Sequence, residues 1–263
     1  MLISGSTVLL TGASGGLGQA IARALRQRGA NLILTGRRVE VLEPLASELE
    51  GRALAVDLAA AAEVDRLVGE AGDVDILVAN AALPASGALS SFTVEEIDRA
   101  LAVNLRAPIV LAHGLAPAMV ERGRGHLLFM SSLAGKAATP ATSLYNATKY
   151  GLRGFASALR ADLRASGVGA SAVFPGFIRD AGMFAEADVK LPPGVGTRSP
   201  EHVAQAVLAA IERNRGEVDV APLPLRVTAA FAGLAPELAA ALARRLGSEE
   251  ITRQMEAGQR SKR

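Results

Sequence analysis

"TVLLTGASGGLGQAIARAL", residues 7–25, contains a strand, a glycine turn and the opening of a helix in immediate succession. The run TVLLT is apolar or β-branched and ends at Gly12, as a short buried strand does. Leu17, Ala20, Ile21, Ala24 and Leu25 then recur at the spacing of one helix face, and Gly29 stops the helix. Between strand and helix the glycines fall at 12, 15, 16 and 18. A turn so poor in Cβ atoms lets the backbone approach an anion, which rests on the free N–H groups of the helix N-terminus. The spacing departs from the G-x-G-x-x-G pattern of dinucleotide sites, but the mechanics are the same and favour a pyrophosphate.

The same strand–helix alternation continues outward from this unit. Apolar runs at 31–35, 53–56, 75–79, 126–130, 170–174 and 217–220 are separated by helical periodicity at 41–49, 62–70, 94–121, 144–165 and 200–213. The run 94–121 reads as one long helix. About seven strands with little polar alternation predict burial on both faces, as in a parallel sheet covered by helices. Right-handed crossovers then give a doubly wound α/β fold with helices on both faces. No linker divides the chain, so residues 1–263 are expected to form a single domain. The Gly- and Pro-rich stretch 175–199 follows a strand and is expected to be a lid. In the C-terminal extension 222–263, the apolar part 222–247 is expected to roof the pocket or form a subunit interface, ahead of touching a membrane. Arg244 and Arg245 make only a small basic patch there, and the polar end 248–263 reads as frayed.

Composition narrows the function classes. Half of the 263 residues are hydrophobic and 3% are aromatic, so the core is aliphatic. The net charge is +2 and no run of like charge suggests a nucleic-acid arm. With no cysteine, disulfides, thiolate metal sites and a cysteine nucleophile are excluded. His113, His126 and His202 are scattered, so no metal site is expected, and His126 reads as a structural residue opening the fifth strand. The first ten residues lack the features of a signal peptide. The most apolar stretch, 218–243, is interrupted by Asp219, Arg226 and Glu237. The expectation is a cytoplasmic protein without stable membrane insertion.

Two further stretches carry chemistry. "SLYNATKYG", 143–151, holds both tyrosines of the chain, and Tyr145 stands four residues before Lys149. On a helix that spacing puts both side chains on one face. An ammonium beside a phenol favours the phenolate and lowers its pKa from about 10, giving a proton donor and acceptor near neutral pH. A surface helix with an incidental Tyr/Lys pair is the competing reading. "TGRR", 35–38, ends the second strand with no acid and two arginines. An acid there holds a ribose 2′-hydroxyl, whereas a guanidinium matches a 2′-phosphate, so Arg37 and Arg38 favour NADP(H) over NAD(H). Their competing reading is the solvated start of a helix.

Taken in order, these residues resemble the short-chain dehydrogenase/reductase family over essentially the whole chain. The matching positions are Thr11-Gly12-x-x-x-Gly16-x-Gly18, Asp57-Leu58, Asn80-Ala81-Ala82, Asn104, Ser132, Tyr145-x-x-x-Lys149 and Pro175-Gly176. The resemblance implies a single Rossmann-type domain and an oxidoreductase acting on CH–OH and C=O groups. It implies that Tyr145 is the acid/base and that Ser132 holds the substrate oxygen. Lys149 would lower the Tyr145 pKa and grip the nicotinamide ribose, and Asn104 would organise a water connecting Lys149 to solvent. The cofactor would contact Gly12, Ser14, Gly15, Gly16, Leu17 and Gly18 at the turn, with Arg37 and Arg38 beyond. Asp57 and Leu58 would meet the adenine, and Asn80 and Ala81 the adenosine side. Tyr145, Lys149, Pro175, Gly176 and Ile178 would meet the nicotinamide side. A homodimer or homotetramer is implied as well. The chain departs from the family at Ala82, where glycine is common, and at Asp180, where Thr or Ser often holds the nicotinamide amide.

The expected pocket wall, formed by Leu133, Ala134, 137–141, Phe177, Met183 and Phe184, is apolar. It suits a lipophilic ketone, aldehyde or secondary alcohol. Arg179, Lys190 and Arg198 keep open a 3-oxoacyl thioester on an acidic carrier. In a different class stands a non-catalytic NADP(H) sensor or scaffold.

Overall fold

The computed structural model describes residues 1–187, 189, 191, 195–235, 237–238, 241, 254 and 257–258. Lys190, Arg244, Arg245 and most of 242–263 lie outside the described residues.

The opening unit folds as its sequence demands, with strand β1 (Thr7–Thr11) leading through the glycine turn into helix α1 (Gly16–Gln27). It is followed by β2 (Asn31–Gly36), α2 (Val39–Glu48), β3 (Arg52–Ala55), α3 (Ala61–Ala71) and β4 (Ile76–Ala79). The second half runs α4 (Val94–Leu101), α5 (Ala107–Glu121), β5 (Gly125–Met130), α6 (Ser143–Asp162) and β6 (Val168–Pro175). It finishes with a short α7 (Gly182–Ala185), α8 (Pro200–Glu212), β7 (Glu217–Val220) and α9 (Leu223–Leu234). All seven strands pair in parallel in the order β3-β2-β1-β4-β5-β6-β7. Successive side chains of a strand point to opposite faces, so each face needs its own cover. On one face Leu10, Leu34 and Val173 pack under α1, α2 and α8. On the other, Leu9, Leu77 and Phe129 pack under α3, α5 and α6.

The helix expected over 94–121 is a continuous helical run, but its turn 102–106 is π-helical. Thr93 starts the run with a reciprocal capping box to Glu96. The widened turn carries Asn104, which is fully buried. Its amide oxygen accepts from the Leu83 N–H at 2.6 Å, and its amide nitrogen donates to the Leu83 carbonyl at 2.9 Å. Val94–Glu121 is long and apolar enough to cross a membrane, yet Ala107, Leu111, Leu115 and Met119 are buried in the domain core.

Candidate active site

Strand order reverses between β1 and β4, and ligands of doubly wound sheets bind at the carboxyl end of such a switch. Gly12 turns the chain there with φ of 67°, in the left-handed region that glycine adopts freely. A Cβ on Gly18 would lie 2.2 Å from the Gly12 carbonyl oxygen, so the turn can close only on glycine. Asn80 braces the other side of the switch, donating from its amide to the carbonyls of Thr11 (3.0 Å) and Gly12 (3.3 Å). The Thr11 hydroxyl in turn accepts from the backbone N–H groups of Asn80 and Ala81, both at 3.0 Å.

This corner opens onto a cleft of about 550 Å³ lined by the whole turn, Gly12, Ser14, Gly15, Gly16, Leu17 and Gly18. Helix α1 has no side-chain cap and no acid in its first turn, so its first N–H groups face the cleft ready for an anion. Arg37, Arg38, Asp57, Leu58, Asn80 and Ala81 line the same cleft. The two arginines divide. Arg38 donates to the Ser14 carbonyl and fastens the glycine turn to the N-terminus of α2. Arg37 is exposed and has no hydrogen bond or ion pair among the described residues. Asp57 accepts from the Ala59 N–H at 3.0 Å, in the turn ahead of α3, and pairs with Arg99 at 3.2 Å.

A second cavity, about 350 Å³, adjoins the first and shares Leu17, Asn80, Ala82, Gly182 and Met183 with it. Ser132, Tyr145, Lys149, Pro175, Gly176 and Ile178 all line it. Ser132 leaves the end of β5, and Tyr145 and Lys149 leave one face of α6. Ser132 accepts from the Ala134 N–H at 3.2 Å and donates to the Pro175 carbonyl at 3.4 Å, beside the phenol of Tyr145. Tyr145 is half-buried at the cavity wall, and desolvation pushes its pKa up to about 12 against the opposing pull of Ser132. The net shift is opposite to the lowering expected beside Lys149. The ammonium lies 5.6 Å from the Tyr145 ring centre and donates to the Met130 carbonyl at 2.9 Å. Burial also pulls Lys149 down to about 8. Desolvation penalises the charged form of each group.

Three further positions of the expected site are placed as follows. Asn104 lines neither cavity. Its amide satisfies the backbone N–H and carbonyl of Leu83. Asp180 adopts φ of 68° and pairs with Arg179 at 3.2 Å outside the cavity, while Ala181 and Gly182 line the wall instead. The stretch 175–199 is pinned at both ends, because Ile178 bridges Arg198 and Arg198 donates its N–H to the Phe177 carbonyl at 3.0 Å. The expected wall residues Leu133, Ala134, Phe177, Met183 and Phe184 are in place. Leu225, Thr228 and Ala229 of α9 complete the roof, one of the two roles expected of 222–247. Reading the sequence missed Asn146 and Lys136. Asn146 donates to the carbonyls of Ala134 (2.6 Å) and Ala137 (3.1 Å) and ties the pocket wall to α6. Lys136 pairs with Asp219 at 2.7 Å and Glu217 at 2.8 Å. Both bonds reach segments that only the fold brings together.

A profile of the short chain dehydrogenase family matches residues 6–191. The ketoacyl reductase HetN of Nostoc sp. is 35% identical over 232 residues, 85% of this chain and 81% of the relative. Dehydrogenase/reductase SDR family member 7B of Mus musculus is 32% identical, over 81% of this chain and 72% of its own. A short-chain dehydrogenase from Sphingobium yanoikuyae, solved in complex with NADPH, superposes with a TM-score of 0.77 at 29% identity, covering 89% and 94% of the two chains. A Burkholderia phymatum structure in complex with NAD shares the fold, with a TM-score of 0.81 at 23% identity over 91% and 97%. Sheet order, glycine turn, Ser132, Tyr145 and Lys149 thus agree with sequence similarity spanning most of the chain: this protein belongs to the short-chain dehydrogenase/reductase family of oxidoreductase enzymes.

Proposed function

We propose that the chain is an NADP(H)-dependent oxidoreductase interconverting a lipophilic ketone or aldehyde and its alcohol. The observation that carries this is the apolar cavity presenting Ser132, Tyr145 and Lys149 next to the glycine-turn cleft. An NAD(P) cofactor is supported by the uncapped α1 terminus and by the NADPH complex of the Sphingobium relative. Preference for NADP(H) is supported by the unpartnered Arg37 and the lack of an acid at the end of β2. In this reading the turn residues hold the pyrophosphate, and Asp57, Leu58 and Ala81 flank the adenosine. Lys149, Pro175, Gly176 and Ile178 form the nicotinamide side. The bound cofactor supplies or accepts a hydride at the substrate carbon.

The side chains do the remaining work. Ser132 donates to the substrate oxygen and fixes it beside the phenol. Tyr145, kept protonated by burial, donates its proton to that oxygen during reduction and takes it back during oxidation. Lys149, with two donors beyond its Met130 bond, positions the ribose and supports the charge on Tyr145 once it gives up its proton. Asn104 supports the site through Leu83. Segment 178–199 serves as the lid, and the Phe177 and Phe184 rings, with centres 5.0 Å apart, exclude water.

A panel of apolar ketones, aldehydes and alcohols, followed at the NADPH absorbance band, tests the proposal. Tight NADPH binding with no turnover of any member would favour the sensor reading. The 3-oxoacyl thioester alternative is supported by the name of the Nostoc relative and by Arg179 and Arg198 at the lid, so thioesters belong in the panel. A homodimer or homotetramer in the cytoplasm is part of the same proposal, supported by the shallow apolar groove of Ile109, Ala116, Val120, Phe155 and Leu159 on α5 and α6.

A further inference from the structure

We propose that helix α9 docks on a lipid surface, laying its outer face in the bilayer interface while its inner face roofs the cavity. The helix meets the domain along one line, through Leu225, Ala229 and Ala232. Its opposite face is apolar and open. Leu223 is 67% exposed, Val227 59%, Phe231 41% and Leu234 86%, and Leu238 just beyond is 67% exposed. Steps of four, four and three residues keep Leu223, Val227, Phe231 and Leu234 on one stripe of the helix. Between 223 and 235 the sole charged residue is Arg226. A helix resting on a soluble domain ordinarily turns polar groups outward, and a continuous apolar stripe marks a surface meant for a partner.

Size and charge select the partner. A 12-residue helix is about 18 Å long and about 10 Å wide, which offers on the order of 200 Å². A stable protein interface needs about 800 Å² from each side, so this stripe is too small to hold a second copy by itself. It suffices for an interfacial helix, whose affinity comes from inserted apolar side chains together with attraction to anionic headgroups. The sequence beyond Leu238 supplies that second ingredient. That part of the sequence carries six Arg or Lys residues against three Glu. The inner residues Leu225, Thr228 and Ala229 line the cavity, so the bilayer and the cavity would be separated by one helix. If the carbonyl-reductase proposal is correct, a lipid-dissolved substrate has a short path to Tyr145.

Co-sedimentation of the full chain with vesicles tests the docking without any turnover assay, so it stands or falls apart from the proposed activity. The vesicles are phosphatidylcholine alone and phosphatidylcholine mixed with phosphatidylglycerol. The wild type should sediment with both and more strongly with the anionic mixture. L223S/V227S/F231S should lose binding by roughly tenfold or more, because it removes three inserted side chains. None of the three lines the cavity, so its melting temperature should match the wild type. A wild type that stays in the supernatant, or a triple variant that still sediments fully, overturns the proposal. So does a triple variant that drops in mass by light scattering while the wild type ignores vesicles, because the stripe would then belong to another copy.

Discussion

Among the described residues, the two ends of the sheet each bury one basic side chain, and they do so to different ends. Lys149 at the carboxyl end and His126 at the amino end are both 1% exposed. Burial drives each toward its neutral form, Lys149 to about 8 and His126 to about 3. The one ring N–H of His126 has its acceptor. Ser171 donates its only proton to the Arg215 carbonyl at 2.5 Å, so it must accept from His126 Nε2–H at 2.8 Å. Asp75 close by accepts from the Thr7 N–H at 3.0 Å and pairs with Arg124. The Lys149 ammonium, by contrast, makes one hydrogen bond among the described residues, and the cavity it lines is the one shared with Ser132 and Tyr145. Both burials disfavour charge. Only the one at the carboxyl end leaves donors over for something else, and such an unfinished site trades stability for function.

Tyr145→Phe should produce the largest contrast between the two ends. Turnover should fall about 10²–10⁴-fold with cofactor affinity retained, whereas His126→Gln should leave turnover nearly unchanged. Near-normal kcat in Tyr145→Phe would remove that residue from its proposed role. Next, Arg37→Ala should weaken NADPH binding about 10–100-fold and leave NADH alone, as loss of a charge-assisted phosphate contact does. Calorimetric titration of both cofactors decides it, and an equal loss for both would place Arg37 away from the 2′-phosphate.

Stability against pH sharpens the comparison further. His126 binds its proton near 6.5 when unfolded and near 3 when folded, so the native state loses stability as pH falls through that window. Between pH 7 and 4 the wild type should lose about 3 kcal/mol more than His126→Gln, measured by urea unfolding. Lys149 works in the opposite pH range. Its folded pKa of about 8 lies below the unfolded 10.5, so the unfolded chain binds more protons between them and native stability rises with pH. Without cofactor, the wild type should gain about 2 kcal/mol from pH 7 to 9.5 relative to Lys149→Met. Parallel curves for the two proteins would mean that Lys149 is better solvated than its burial implies.

The fold was legible because its signals are local. Strands buried on both faces must be short apolar runs, and βα turns at a sheet's binding edge need glycine, so the seven strands fall within about two residues of their reading. The residues around the cavity were legible for the same reason, since Tyr145 and Lys149 share one helix. What escaped was tertiary. The π turn at 102–106 carries Asn104 to Leu83, 21 positions away, and no periodicity announces it. The Tyr145 pKa depends on desolvation by walls drawn from β5, β6 and α9, whereas spacing registers only the nearby charge. In α9 both faces are apolar, so the pattern could not say which one turns inward.

The reversal of strand order has a consequence for how the chain is made. β1 is complete at Thr11, but its partner β4 begins only at Ile76. At about 5–20 residues per second on the ribosome, one edge of β1 waits several seconds for that partner. During this interval β1, β2 and β3 can pair with one another, yet the apolar side chains and free backbone groups along the open edge have nothing native to meet. Closure of a seam between segments so distant in the chain is intrinsically slow. The first three strands are therefore the part of a nascent chain most exposed to aggregation, and the seam that becomes the cofactor crevice is the contact that ends this exposure.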